Sequence, residues 1–125
     1  MRLLLDSHTL VWWLEDAPTL AREAYDAIAD PDNAIMVSAA TVWELEIKRA
    51  KGKLTAPQDL AGRVEREGFD PLPIMLRHGV AAAKLPHHHG DPFDRMLIAQ
   101  AQLEALTLVT RDPGFQRYAV ATLAA

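Results

Sequence analysis

Short continuous apolar runs alternate along the chain with longer segments whose apolar residues recur at helical spacing. The runs are RLLL at residues 2–5, AIMVS at 34–38 and TLVT at 107–110, while AVATL at 119–123 is a weaker run near the end. Runs without polar alternation are typical of strands that are buried on both faces of a sheet. We therefore predict three buried strands and one final, more exposed strand.

Six segments with a helical pattern lie between or beside these runs. They are HTLVWWLE, PTLAREAYDAIAD, AATVWELEIKRAKG, QDLAGRVEREG, LRHGVAAAKL and the segment that starts at Pro92. Strands that alternate with helices of this length need crossover connections, which produce a mainly parallel sheet with helices on both faces. The chain has 125 residues, half of them apolar, so we predict one α/β domain over residues 1–125.

Composition narrows the class of protein. The chain has no cysteine, which excludes disulfides, thiolate metal ligands and a thiol nucleophile, and favours a reducing compartment, by default the cytoplasm. Asp6 interrupts the apolar start after three leucines, so a signal peptide is not expected. No run approaches the roughly 20 apolar residues of a membrane span, so we expect a soluble protein without membrane contact.

One basic cluster is a candidate for contact with phosphates. Thirteen basic against seventeen acidic residues give a formal net charge of −4, which argues against general coating of nucleic acid. The segment KRAKGK nevertheless places four cations at the end of a predicted helix: Lys48, Arg49, Lys51 and Lys53. Cations at a helix C-terminus also complement the helix dipole, and both interpretations remain open from the sequence.

Four carboxylates are predicted at one edge of the sheet. The functional crevice of an open parallel sheet lies outside the carboxyl ends of its strands. Asp6 ends the first strand, and Asp112 follows the third buried strand. Glu44 lies about one and a half turns into the helix after the second strand, and Asp94 lies in the first turn of the helix from Pro92.

Each of these acids also has an ordinary structural interpretation. Asp6 is placed to cap a helix, Glu44 to pair with Lys48, and Asp112 to start a turn, while Asp94 is placed to meet a helix dipole. Taken together, however, four like charges at one edge repel one another unless a hard cation such as Mg²⁺ or Mn²⁺ neutralises them. Metal bound by carboxylates, without a protein nucleophile, favours phosphodiester hydrolysis. The repulsion between the four acids also predicts that amide variants at this edge relieve it when metal is absent.

Several neighbouring residues have weaker support as members of this site. Ser7 and Thr110 would lie beside it as hydroxyl donors, or be cap and strand-end residues. Asp91 precedes Pro92, which is typical of a helix N-cap, so we expect a structural role or an extra ligand. Between Pro86 and Gly90, the run His87–His89 is typical of a solvated loop that binds nickel or zinc adventitiously, because consecutive histidines cannot all face one ion.

These acids and their flanking sequences resemble those of PIN-domain ribonucleases, and more closely the VapC-type toxins of bacterial toxin–antitoxin pairs. The matching segments are LLLDSHTLVWWL, VSAATVWELEIKRAKGKL, HGDPFDRMLIAQAQ and LVTRDPGF, in the order of the family. The resemblance assigns the acidic positions of the family to Asp6, with Ser7 after it, and to Glu44, Asp94 and Asp112. It implies a PIN-like three-layer α/β/α fold and a Mg²⁺- or Mn²⁺-dependent endoribonuclease that forms a homodimer and is silenced by a small VapB-like antitoxin.

Other classes of protein fit less well. Phosphoaspartate hydrolases and receiver-like domains need a second acid two residues after the first, or a lysine at the end of a late strand, and neither pattern is present. A P-loop is absent as well. The alternative that remains is a catalytically idle domain that binds metal and acts through a partner. Trp12 and Trp13 are candidates for a dimer or antitoxin surface, although adjacent tryptophans on one helix point apart and we expect at least one in the core.

Overall fold

A five-stranded sheet forms the central layer of the protein, which is described over residues 1–125 by a computed structural model. The strands are β1 (Arg2–Leu5), β2 (Ala34–Ser38), β3 (Asp70–Leu72), β4 (Thr107–Thr110) and β5 (Thr122–Ala124). Their order is β3-β2-β1-β4-β5, and every neighbouring pair is parallel. The parallel sheet predicted from the alternation of elements is therefore confirmed.

Six α-helices and a short 3₁₀ helix surround the sheet. They are α1 (Ser7–Leu14), α2 (Arg22–Ala29), α3 (Ala39–Ala50), α4 (Leu60–Arg66), α5 (Leu76–Lys84) and α6 (Pro92–Glu104), with the 3₁₀ helix at Pro113–Arg117. None of these helices has the length and apolarity needed to cross a membrane.

The sheet separates two hydrophobic cores, as expected for three layers. Leu3 and Leu5 of β1 point into a core that includes side chains of α1, α2 and α4, whereas Leu4 points into a core built with α5 and α6. All three leucines are fully buried, because successive side chains of a strand alternate between the faces of the sheet. An apolar run without alternation is what two covered faces require, which confirms the three-layer α/β/α prediction.

Two boundaries and one strand differ from the sequence prediction. The second helix begins at Arg22 instead of Pro18, because residues 17–20 form turns in which Ala17 N–H donates to Trp12 O at 2.8 Å. The final strand lies at Thr122–Ala124, a little later than the apolar run suggested. Strand β3 was not predicted, since three residues that include Pro71 give a weak signal, and proline is tolerated only at the edge position that β3 occupies.

The order of the strands determines where a site can form. The chain runs outward from β1 through β2 to β3, and then returns to the other side of β1 with β4 and β5. The switch therefore lies between β1 and β4, whose carboxyl ends lead into Asp6 and Asp112. Ligands of open α/β sheets bind at such a switch point.

Candidate active site

Asp6 and Thr110 join the ends of β1 and β4 at the switch point. Asp6 caps α1, because its Oδ1 accepts the Thr9 N–H at 2.9 Å, and its Oδ2 accepts the Thr110 hydroxyl at 2.5 Å. Thr110 Oγ1 in turn accepts the Asp112 N–H at 3.1 Å. Asp6 and Thr110 are both 5% exposed. Asp6 is therefore a helix cap, as one interpretation of the sequence had it, and its carboxylate is also held in a fixed orientation at the edge of the sheet.

Glu44 is buried although its side chain is a carboxyl group. It lies on α3 with 6% of its surface exposed, and its Oε2 is 3.0 Å from Lys48 Nζ. Its other oxygen, Oε1, is buried without a hydrogen-bond partner, as is Thr41 Oγ1 one turn earlier. A buried polar atom without a partner costs about 1–3 kcal/mol, and more when it is charged. The pair with Lys48 thus satisfies only half of the carboxylate and leaves Oε1 available to a further partner.

Asp91 has the structural role expected of it. Its Oδ1 accepts the N–H groups of Phe93 at 2.8 Å and Asp94 at 3.2 Å, with Pro92 at the start of α6. The prediction that Asp91 is the N-cap of this helix is confirmed. The cap determines where α6 begins and therefore places Asp94 in its first turn.

Asp94 lies in the most strongly perturbed electrostatic environment of the site. Burial raises the pKa of Asp94 from 3.8 to about 7, and the negative charges of Asp91, Glu44 and Asp112 contribute to this rise while His89 opposes it. Like charges that share a site favour protonation of one of them. Near neutral pH and without a cation, this carboxyl is therefore only partly ionised.

Asp112 differs from Asp94 in its hydrogen bonds. Its Oδ1 accepts the Gly114 N–H at 2.8 Å and its Oδ2 lies 3.1 Å from His89 Nε2. Partial burial alone would raise the pKa of Asp112, but these hydrogen bonds and the nearby rings of His89 and His8 hold it below its ordinary value. Asp112 is the cap of the 3₁₀ helix, so its turn interpretation is also confirmed.

The expectation that His87–His89 form a solvated loop is wrong for His89. Its side chain is only 17% exposed, and Nε2 lies 3.1 Å from Asp94 Oδ2 as well as from Asp112 Oδ2. One ligand atom from each of these three residues lies within 4.8 Å of the others. His87 and His88 are exposed. The position of His89 directly before the start of the helix that carries Asp94 was the signal available in the sequence.

Two cations of the basic cluster make contacts within the protein, and the other two are exposed. Lys48 contacts Glu44, and the guanidinium of Arg49 donates to the backbone carbonyls of Ala56 at 2.6 Å and of Pro57, besides contacting Glu46. Lys51 and Lys53 are exposed. Arg49 therefore holds the loop after α3, and the two exposed lysines are the members of the cluster that are accessible to a polyanion.

The remaining sequence candidates lie beside the site or in the core. Ser7 is buried at the start of α1, directly after Asp6. Trp12 lies beneath the Arg111 guanidinium at 4.4 Å, and Trp13 contacts Phe69 with 6.1 Å between ring centroids. Both tryptophans pack against the core that contains α1, which agrees with the expectation that at least one of them is a core residue.

The donor set fits a hard divalent cation. Asp94 and Asp112 lie together beside His89, and Glu44 is near enough to raise the pKa of Asp94, whereas Asp6 is bound to Thr110 at the neighbouring strand end. Glu44 also has a buried oxygen without a partner, and the pKa of Asp94 is raised to about 7. Carboxylate oxygens are the ligands that Mg²⁺ and Mn²⁺ prefer, and a cation would remove the repulsion that helps to raise the pKa of Asp94. Asp6, Glu44, Asp94 and Asp112 are the residues that could hold it.

Comparison with known proteins agrees with this fold. Residues 3–121 match the family model of the PIN domain. Ribonuclease VapC22 of Mycobacterium tuberculosis is 33% identical to this chain over 118 residues, which cover 88% of this chain and 86% of that protein.

Solved structures with the same fold include two complexes. VapBC2 from Rickettsia felis, solved bound to a DNA fragment from its promoter, superposes on this chain with a TM-score of 0.72 at 16% identity. The match covers 98% of this chain and 98% of that one. DNA-bound VapBC from Salmonella typhimurium gives a TM-score of 0.71 at 19% identity and covers 98% of this chain and 97% of that one. At such low identity these matches show the shared fold.

Proposed function

This chain belongs to the PIN domain family, and on that premise we propose that it is a Mg²⁺- or Mn²⁺-dependent endoribonuclease that hydrolyses RNA phosphodiester bonds. We propose further that it acts as the toxin of a toxin–antitoxin pair, as the relative named Ribonuclease VapC22 suggests. A toxin directed at RNA acts in the cytoplasm, the reducing compartment that suits a chain without cysteine.

The observation that carries the proposal is the free oxygen of Glu44. Glu44 Oε1 is buried without a partner, and Glu44 is close enough to Asp94 to raise its pKa. A structural ion pair would use both oxygens of the glutamate or expose the second one to water. A divalent cation beside Oε1 would give this oxygen a partner, which supports the proposal.

We assign cation binding to some residues of the site and orientation of the carboxylates to others. Asp6, Glu44, Asp94 and Asp112 would hold the cation, which when bound activates a water and stabilises the charge of the phosphoryl group. Thr110 keeps the Asp6 carboxylate in one orientation, and Asp91 positions Asp94 through the cap of α6. Ser7, next to Asp6, is the hydroxyl that we assign to contact with the phosphate.

Cleavage of RNA by matched amide variants tests the activity. We expect Asp6→Asn, Glu44→Gln, Asp94→Asn and Asp112→Asn each to lower the cleavage rate by orders of magnitude, because ligands of one metal site act as a unit. Asp91→Asn is the matched control, since asparagine also caps helices and should retain most of the activity. Equal inactivity of Asp91→Asn and Asp94→Asn would contradict these separate roles.

The alternative is a catalytically idle domain that binds metal and acts through a partner. It predicts the same cation binding and the same effect of the amide variants on that binding, but no cleavage of RNA by the parent protein in Mg²⁺ or Mn²⁺. Sequencing of RNA ends after a brief pulse of expression separates the two functions and identifies the target at the same time.

We propose two protein partners, a second copy of the chain and a small VapB-like antitoxin. Exposed apolar side chains support a macromolecular interface: Leu76 at the start of α5 is 93% exposed, and Val80 one turn later is 55% exposed. The mass of the purified protein in solution tests the homodimer against the 13.8 kDa monomer. Co-expression with the product of a neighbouring reading frame, followed by the RNA cleavage assay, tests the antitoxin.

A further inference from the structure

The loop before α6 is held in place by hydrogen bonds to its backbone. The hydroxyl of Tyr118 accepts the N–H groups of His88 at 3.1 Å and His89 at 2.9 Å, and donates to Pro86 O at 2.7 Å. The guanidinium of Arg95 donates to Pro86 O at 3.1 Å and to His89 O at 3.3 Å. Both backbone polar groups of His89 are thereby fixed, which is not the behaviour of a solvated loop.

The ring of His89 packs in a space that its neighbours leave open. It packs against Phe115 with 5.7 Å between ring centroids. A Cβ at Gly114 would lie 3.1 Å from His89 Cδ2 and 3.1 Å from Asp112 Oδ1. The absence of a side chain at Gly114 therefore leaves the space that the imidazole and the Asp112 carboxylate share.

The hydrogen bonds of the ring determine its tautomer. His89 Nδ1 accepts the Asp91 N–H at 3.2 Å, so the ring proton that faces the carboxylates is the one on Nε2. Nε2 is 3.1 Å from one oxygen of Asp94 and 3.1 Å from one oxygen of Asp112. A nitrogen that donates its proton to the Asp112 carboxylate has no lone pair to give to a metal.

We propose that His89 is a positioning residue of the metal site, which donates its Nε2–H to Asp112, lies 3.1 Å from Asp94 and stays outside the coordination sphere. This inference rests on the proposed function. Each carboxylate oxygen has two lone pairs, so an oxygen that accepts from His89 can still face a cation, and Glu44 Oε1 remains free. Asp94 comes from α6 and Asp112 from the end of β4, so one ring nitrogen lies beside carboxylates of two different elements.

Binding of Mn²⁺, followed by electron paramagnetic resonance, tests this role without reference to cleavage. We expect His89→Ala to weaken Mn²⁺ binding by roughly 10- to 100-fold, the usual cost of removing an outer-shell partner. His89→Gln should recover most of the affinity, because its amide N–H reaches about as far as the imidazole Nε2–H. The matched control is His87→Ala, which removes an exposed histidine of the same loop and should leave the affinity unchanged.

The parent protein provides a second measurement that does not depend on a variant. Bound Mn²⁺ should show no strong hyperfine coupling to a histidine nitrogen. A strong ¹⁴N coupling that disappears in His89→Ala would make His89 a direct ligand and overturn the proposal. An affinity that is equal in His89→Ala and the parent, or equally weak in a folded His89→Gln and His89→Ala, would overturn it as well.

The same titration distinguishes this proposal from the proposed function. A parent that binds no Mn²⁺ at all would contradict both the role of His89 and the proposed function. A parent that binds Mn²⁺ and cleaves RNA, with His89→Ala unaffected in affinity, would remove only the role of His89.

Discussion

Thr110 Oγ1 donates a hydrogen bond of 2.5 Å to Asp6 Oδ2, across a separation of 104 residues in the chain. The same hydroxyl accepts the backbone N–H of Asp112 at 3.1 Å. One side chain at the end of β4 therefore sets the orientation of the carboxylate at the end of β1 and the start of the turn that carries a second carboxylate. Such bonds to ligating groups tune a metal site although they never touch the metal.

Removal of this hydroxyl should impair cleavage more than it impairs folding. We predict that Thr110→Val, which keeps the shape of the side chain, lowers the RNA cleavage rate by roughly 10- to 100-fold. Thr110→Ser retains the hydroxyl and should stay within a few-fold of the parent. Cleavage rates at saturating Mg²⁺, with melting temperatures of both variants as the control, decide this; equal rates for valine and serine would contradict it.

The raised pKa of Asp94 predicts a pH dependence of stability in the absence of metal. Its pKa is 3.8 ordinarily and about 7 in the folded protein, so between these values the folded state binds more protons than the unfolded state. This contribution to the free energy of unfolding is fully present below about pH 4 and is lost as the pH rises through about 7. Asp94→Asn should remove it. Urea unfolding in EDTA across that range should therefore give a steeper decline for the parent than for Asp94→Asn, and parallel curves would count against it.

Asp112 should behave in the opposite way. Its pKa is lowered by the hydrogen bonds from Gly114 and His89, so its carboxylate stabilises the fold above the ordinary pKa and loses that effect as the pH falls through the folded value. Asp112→Asn should therefore lower the melting temperature in EDTA at neutral pH by a small amount, because the side chain is 43% exposed. The general expectation that amides at this edge relieve repulsion is thus restricted to Asp94. A rise in melting temperature for Asp112→Asn would contradict this assignment.

Exposed lysines after α3 should contribute to RNA binding. Replacing Lys51 and Lys53 by alanine should weaken binding of single-stranded RNA in EDTA and reduce the slope of log affinity against log salt by roughly 0.7 for each phosphate that the variant no longer neutralises. Arg49→Ala is the informative comparison, since its guanidinium donates to Ala56 O and Pro57 O and its loss should lower the melting temperature. An unchanged salt slope in the double lysine variant would exclude this surface.

The sequence was most informative where one local pattern determined the outcome. The strands around Leu3 and Val109 are covered on both faces, and both residues are fully buried, so an uninterrupted apolar run sufficed to predict them. The carboxylates at Asp6 and Asp112 could be placed because parallel strands end at one edge. The cap at Asp91 followed from the proline after it.

What the sequence did not reveal depends on contacts between distant segments. The contacts of His89 with Tyr118 and Asp112 join it to residues 29 and 23 positions further along, so its place shortly before α6 was the one local signal that separated it from His87. The engagement of Arg49 by carbonyl groups of the following loop is likewise a tertiary contact. Edge strand β3 was not predicted because Pro71 is unfavourable in a strand. Its pairing with β2, a contact between distant segments, is what makes this segment a strand.

The most direct test of the cation site is the melting temperature of the parent and Asp94→Asn, in EDTA and in millimolar Mg²⁺, at a pH slightly above 7. In EDTA, Asp94→Asn should melt at or above the parent, because the amide removes a charge that its buried, acidic surroundings oppose. Mg²⁺ should then reverse the order, since a cation at about 100 times its dissociation constant stabilises the folded parent by about 2.7 kcal/mol while the amide variant gains much less. A parent that shows no shift with Mg²⁺, together with an Asp94→Asn variant that melts below it in EDTA, would contradict a carboxylate site assembled for a divalent cation.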